Sequence, residues 1–513
     1  MIRIALQSPF RKMAIQPVQL PPQFIVAALF PLFNGSMICR LNFTTTLAAS
    51  SIPAPSSPSA PSSPSVHSQT QSNLVENSNS GCRTMCWGIG NEGQLGLHHV
   101  HEQATPVRIP DMDGKKVVSI SGGVFHTAAL VQVNGQGQVH VWGSNFFGQA
   151  GYFPELQSAF FSSDEEEVVW EPRWLQENLQ DENILQLSCG DFHSVVLTQS
   201  GRVLTWGAGL LGHSNEYFES RPHVIEKFRD LSDPMHIRHV AARMGLTLAT
   251  ASPTPNTPAT RVFIWGHYDA CAEPLLPDGS STQRVKSTVP VEIPIAGLLD
   301  SVSLVDASHH LVVIQGVKDG QIIYLVYGSH PSSRLLDQEP TDIPYYAILE
   351  KVAVVNEGYA PLKLIATLSD SEADTSVPRR IFIASNTIVV LRESGKVQII
   401  PMFNKDSDHP EFPGFGEPII DMAASPLSIL ALGKSGAVYH AAAFFPPKPK
   451  RKSFLLRLID RALPEERRAA AELSSRSEVS LVDALRAMPS APIGIFPEAR
   501  LIGTGWKHHF IVS

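Results

Sequence analysis

Four histidines, His126, His193, His310 and His508, occupy one position of a recurring segment. Imidazole is the commonest protein metal ligand and titrates near neutral pH. Four in register therefore raise a metal centre. A zinc ion needs three or four donors within about 2–2.2 Å of one point. Residues that recur once per unit, at roughly 60-residue spacing, are spread apart by the repeat rather than gathered. The expectation is a buried polar contact from each histidine to a neighbouring strand. Trp87, Trp142, Trp206 and Trp265 also recur once per unit. They read as apolar packing between units rather than as a recognition surface.

Other chemistry is sparse. Gly122, Gly123 and Gly190 resemble a phosphate cradle, but no Lys-Ser/Thr follows them. Cys39, Cys82, Cys86, Cys189 and Cys271 form no C-x-x-C pair. No G-x-S-x-G, HExxH or paired-carboxylate pattern stands out. No catalytic residue, metal or cofactor is assigned, and the chain is expected not to be an enzyme.

The elements that carry these residues alternate. One segment reads Met85-Cys86-Trp87-Gly88-Ile89-Gly90-Asn91-Glu92-Gly93-Gln94-Leu95-Gly96. It returns around Trp142-Gly143, Trp206-Gly207 and Trp265-Gly266, each copy weaker than the last. A second segment runs Ile120 to Leu130, Leu187 to Leu197 and Ile502 to Val512. Eroded copies fall at Val240–Thr250, Leu304–Ile314, Ile381–Leu391 and Met422–Leu432. Turn glycines Gly135, Gly201, Gly320, Gly395 and Gly436 join second segment to first, which reads as a hairpin.

Seven hairpins predict an all-β, seven-bladed β-propeller over residues 81–513. The chain opens on a lone Trp-Gly strand and ends on a lone partner strand. Pairing them closes the ring and removes the free sheet edge.

Two insertions interrupt the repeat. Glu155 to Asn183 holds nine acids and one base, Arg173. Asp164, Glu165, Glu166 and Glu167 precede Trp170 there; acids beside aromatics suit a basic partner, and a solvated loop with Trp170 covering a blade is the alternative. Residues from about 444 to 497 carry Lys448, Lys450, Arg451 and Lys452 ahead of apolar residues at helical spacing. This predicts a helical insertion in the last blade. Its basic run suits nuclear import, nucleic acid, an acidic membrane surface or packing over the ring.

The 513 residues carry a net charge of -8 and 43% hydrophobic residues. Five cysteines exclude a disulfide scaffold. The composition leads to the expectation of a soluble, intracellular, globular chain. Residues 1–75 lack Asp and Glu and carry Arg3, Arg11, Lys12 and Arg40. Ser and Pro supply fifteen of the twenty-three residues from Ser50 to Ser72. Residues 1–80 therefore read as a flexible leader, with an organelle transit peptide, a plain extension and a secretory signal all open. The remainder, with 36 basic and 48 acidic residues, argues against general nucleic-acid binding.

The Trp-Gly-x-x-Asn-x-x-Gly-Gln-Leu-Gly and Gly-Gly-x-x-His motifs resemble the repeats of the regulator of chromosome condensation family. The resemblance implies a seven-bladed ring acting as a protein-binding adaptor. It also implies two alternatives: guanine-nucleotide exchange on a small GTPase, or occlusion of an enzyme's active site. A monomeric ring with unidentified protein partners is expected. A cytoplasmic or mitochondrial location is favoured over a nuclear one.

Overall fold

In the computed structural model, the residues described are 81–151, 168–176, 178–179, 181–213, 218–228, 235–271, 282–308, 311–328, 353–355, 360, 362–370, 376–384, 387–402, 414–442 and 492–513. All belong to one unit, Glu76–Gln338 with Val352–Ser513.

Alternating apolar residues and turn glycines produce twenty-eight strands among the described residues. The closing blade takes β1 (Thr84–Gly88) and β2 (Gln103–Arg108) from one end of the chain. The first blade is β3 (Lys116–Gly122), β4 (His126–Val133), β5 (Gln136–Ser144) and β6 (Val168–Trp174). The second is β7 (Ile184–Cys189), β8 (His193–Thr198), β9 (Val203–Ala208) and β10 (Phe218–Val224). The third is β11 (His236–Arg243), β12 (Leu246–Ser252), β13 (Arg261–Cys271) and β14 (Thr282–Ile293). The fourth is β15 (Ser301–Ala307), β16 (Leu311–Lys318), β17 (Gln321–Gly328) and, after β18 (Ala353–Val355), β19 (Leu364–Ser369). β18 leaves its own blade and pairs in parallel with β14. The fifth is β20 (Pro378–Ala384), β21 (Thr387–Arg392) and β22 (Val397–Pro401). The sixth is β23 (Ile419–Ala424), β24 (Ser428–Gly433), β25 (Ala437–Ala442) and β26 (Gly494–Ile495). β27 (Leu501–Thr504) and β28 (His508–Val512) complete the closing blade in the order β2-β1-β28-β27.

These seven sheets form a seven-bladed β-propeller. Closure joins two strands from each end of the chain: Met85 pairs with Ile511 and Trp87 with His509. The five turn glycines adopt φ between 77° and 85°, a region open to glycine without a Cβ clash.

Within a blade, neighbouring strands in the four-strand order run antiparallel. The turn from first to second strand and the connection from third to fourth strand therefore leave from one end of the ring. The strand ends that border the stretches 89–102, 145–167, 272–281, 329–352 and 443–491 lie there. The opposite end carries the short second-to-third turns, such as 134–135, 319–320 and 434–436.

The stretch read as an acidic insertion is in part a blade strand. Val168–Trp174 is β6, and Trp170 lies on it, partly exposed. Likewise 492–497, read as the end of the last insertion, supplies β26, with the Ile493 N–H donating to the Val438 carbonyl (2.8 Å). The stretch expected to be helical, with Lys450, Arg451 and Lys452, lies outside the described residues, as do Asp164, Glu165, Glu166, Glu167 and the leader.

Candidate interaction surface

The repeat residues join each blade to the next. His508 Nε2 meets Thr127 Oγ1 at 3.1 Å, His126 Nε2 meets Ser194 Oγ at 3.0 Å, and His193 Nε2 meets Thr247 Oγ1 at 2.9 Å. Each histidine thus reaches the hydroxyl that follows the same position one blade on. The pattern chains the closing, first, second and third blades. Loss of water pushes His126 and His508 down to about 3 and His193 down to about 4. For His126 the neighbouring imidazoles of His193 and His508 add to the effect. All three are neutral at pH 7, as a buried contact requires.

Register places a glycine opposite each histidine: Gly88 opposite His508, Gly143 opposite His126, Gly207 opposite His193. Gly266 stands opposite Leu246 and Gly328 opposite Leu311. Gly88, Gly143, Gly207 and Gly266 have φ of 104°, 101°, 107° and 108°. A Cβ on Gly143 would overlap the Phe125 carbonyl oxygen. In the fourth blade the position falls on Leu311, not residue 310; His310 itself lies outside the described residues.

The tryptophans are buried between blades. The Trp142 indole donates to the Gln94 carbonyl (2.8 Å) and the Trp206 indole to the Gln149 carbonyl (3.0 Å). Gly96 and Gly151 leave room for those indoles. In the next copy Leu210 replaces the glutamine, and the buried Trp265 indole N–H finds no acceptor among the described residues.

The innermost strands surround a channel with a cavity of about 490 Å³. Arg243 crosses it. Its Nε donates to Asp306 Oδ1 (2.7 Å) and one terminal nitrogen to the Ala424 carbonyl (2.5 Å), while its guanidinium lies 5.8 Å from the Phe382 ring centre. One side chain on the third blade thus touches the fourth, fifth and sixth. Asp306 also accepts from the Ile383 N–H at 2.8 Å. Near the opposite end Arg380 pairs with Asp421 (2.9 Å), whose other oxygen accepts from the Ile502 N–H. Burial raises the Asp421 carboxyl while Arg380 lowers it; the upward effect prevails.

At the channel mouth the first-to-second turns hold one another. The Trp506 N–H donates to Gly123, Val124 to Asp191 and Asp191 to Met244, at 2.7–3.1 Å. The Trp506 indole also donates to Asp191 Oδ1 at 2.8 Å. Burial pushes the Asp191 carboxyl up to about 7, with the indole hydrogen bond acting in the opposite sense.

Sequence reading missed Arg243 and the Trp506–Asp191 contact. Asp191 and Trp506 stand at the variable positions between glycine and histidine of the repeat, so their shared location was visible. Arg243 had no signal, because its partners lie 63 and 181 residues away. Among the described residues no group of three or more His, Cys, Asp or Glu is placed to hold a metal ion.

A ring of seven β-sheets, four of them chained by repeated histidines and tryptophans, defines a repeat propeller. Residues 86–130 and 136–197 match the regulator of chromosome condensation (RCC1) repeat, and 184–212 match a second model of it. The chain is a divergent member of the RCC1-like family. It is 28% identical over 211 residues to the E3 ubiquitin-protein ligase HERC2 of Mus musculus, covering 40% of this chain and 4% of that protein. It is 31% identical over 166 residues to the ultraviolet-B receptor UVR8 of Arabidopsis thaliana, covering 32% and 34%. The matched part spans about a third or less of these relatives. Among solved structures, Prp20p of Saccharomyces cerevisiae superposes with a TM-score of 0.53 at 15% identity, over 84% of this chain and 91% of that one.

Proposed function

We propose that the chain is a non-enzymatic platform that binds protein partners on the end of the ring bearing the long connections. One observation carries this reading. The repeated histidines and tryptophans are consumed in blade-to-blade contacts, while the connections from third to fourth strand, 89–102 and 145–167 among them, leave from one end. A rigid scaffold that projects unequal loops on one side is suited to recognition.

A second reading is guanine-nucleotide exchange on a small GTPase. It is favoured by the fold likeness to Prp20p, a protein described by its binding properties to Gsp1p and histones. Addition of the purified chain to nucleotide-loaded small GTPases separates the two. Unchanged release rates support the platform, and acceleration overturns it. Cross-linking of captured partners is expected at 89–102, 145–167 and 329–363. Cross-links confined to 134–135, 199–202 and 319–320 would place binding on the other end.

A further inference from the structure

The channel is lined unevenly along its length. Its cavity of about 490 Å³ runs from Trp506 and Asp191 at the loop-bearing mouth to Leu185 and Arg379 at the other. That volume lies in the range of small-molecule sites.

Basic groups gather at the second mouth, and the backbone places them there. In the first to sixth blades the innermost strand carries one extra, unpaired residue near its start: Val118, Leu185, Arg238, Ser303, Arg379 and Ile420. Such a bulge re-aims a side chain, a device common at the rims of closed sheets. All but Ile420 are exposed. Two of the six are arginines and none is an acid. The positions next along these strands add His239, Arg380 and Asp421. Across both layers, three arginines and a histidine stand with one carboxylate.

The existing partners leave part of this charge unspent. Arg238 donates to the Pro255 carbonyl at 2.6 Å. Arg380 pairs with Asp421, yet its side chain is 44% exposed. Arg379 donates to the Ile420 carbonyl at 2.7 Å and has no ion pair among the described residues. The His239 imidazole makes no hydrogen bond among the described residues; burial, with Arg380 adding to it, lowers its pKa, so it stays neutral at pH 7 with one N–H to donate. Deeper in the cavity Arg243 and Asp306 neutralise each other. Asp191, at the loop-bearing mouth, is held by Trp506. Arg243, Arg379 and Arg380 set against Asp306 and Asp421 leave one positive charge, that of Arg379. Around the rim both signs are exposed, Asp181 and Glu498 with Lys116 and Arg500, and solvent and salt screen them. Between low-dielectric walls an imbalance of one sign is focused instead.

We propose that this end of the channel binds a small molecule through an oxyanion, a phosphate or carboxylate group, held by the Arg379 and Arg380 guanidinium groups with the His239 N–H beside them. A guanidinium presents a fork of donors that matches two oxygens of either group. The site lies away from the long connections and is independent of the platform reading.

Isothermal titration calorimetry of the full chain at fixed ionic strength tests it. Sodium pyrophosphate is the phosphate probe and sodium succinate the carboxylate probe. Saturable binding at one site per chain is expected, and the probe that binds assigns the oxyanion. Arg379→Glu is expected to weaken binding by roughly tenfold or more. Lys434→Glu makes the same change of net charge on an exposed second-to-third turn and is expected to leave binding unchanged. Circular dichroism checks the fold, and Arg379→Gln, expected to weaken binding in the same direction, replaces Arg379→Glu where the reversed charge disturbs it. Absence of saturable binding by both probes up to about 10 mM, beyond a millimolar Kd, overturns the site. Equal losses in Arg379→Glu and Lys434→Glu also overturn it, because net charge alone then accounts for the effect. Either failure leaves partner binding at the other end standing.

Discussion

His126 and Ser194 are 68 residues apart in the chain, yet the imidazole Nε2 and the hydroxyl oxygen stand 3.0 Å apart with both residues buried. The first blade holds the second through this contact. His126→Ala removes the bond and leaves the buried Ser194 hydroxyl with only its 3.7 Å contact to Cys189 Sγ. A loss of about 1–3 kcal/mol is expected, read as a lower urea midpoint. An unchanged midpoint would show that the contact carries no stability.

Acid should loosen the ring in a defined window. His126, His193 and His508 have folded pKa values depressed to about 3, 4 and 3, against about 6.5 unfolded. Stability they support is intact above 6.5 and declines as pH falls towards 3–4, because only the unfolded chain takes up the protons. The slope is about 1.4 kcal/mol per pH unit for each histidine. Asp191, raised to about 7, acts with the opposite sign, losing its contribution as pH rises from 4 to 7. Three histidines outweigh one carboxyl, so denaturant midpoints measured from pH 7 to 4 should fall. Flat midpoints over that range would contradict buried neutral imidazoles.

Gly143 and Gly135 provide a matched pair. Both have positive φ, 101° and 83°, but a Cβ on Gly143 meets the Phe125 carbonyl whereas one on Gly135 meets nothing within 4 Å. Gly135→Ala should cost about 1–2 kcal/mol from backbone strain alone. Gly143→Ala should cost clearly more, because the β4–β5 pairing must also open. Thermal melting of the two variants side by side measures the difference.

Arg243→Met leaves Asp306, almost fully buried, without its cation. A loss of about 3–5 kcal/mol is expected. Adding Asp306→Asn should restore part of it, since the neutral amide no longer needs a countercharge. A double-mutant cycle with no coupling would mean that the cross-channel contact is not formed in solution.

The well-preserved motifs made the architecture legible, because burial between blades demands the same residue types in each turn of the ring. His126, His193 and His508, with Gly143, Gly207 and Gly88 opposite, announced three blades directly. In the fourth, fifth and sixth blades the matching positions are Leu311, Thr387 and Ser428, and only apolar alternation and the turn glycines remained. Other contacts serve there: Arg243 with Asp306, Arg380 with Asp421, and Ser428 with Thr504 at 3.2 Å. These join residues distant in sequence and leave no local pattern. The contact of the Phe125 and Phe192 rings, 6.2 Å apart, was half visible, since both fill the free positions of the Gly-x-x-His turn. The meeting of Phe192 with Phe147 depends on how two blades stand side by side, which periodicity does not encode.

The closing blade sets a timetable for synthesis. Arg83 and Ser513 exchange hydrogen bonds across 430 residues. At about 5–20 residues per second, a ribosome needs roughly 20–90 s to deliver the partner strand. Throughout that interval the β1–β2 hairpin presents an unsatisfied sheet edge, the kind of surface that recruits stray strands. A newborn chain is therefore most exposed to misassembly at its opening strands, and a chaperone that shields them until β28 emerges would govern the yield of closed rings.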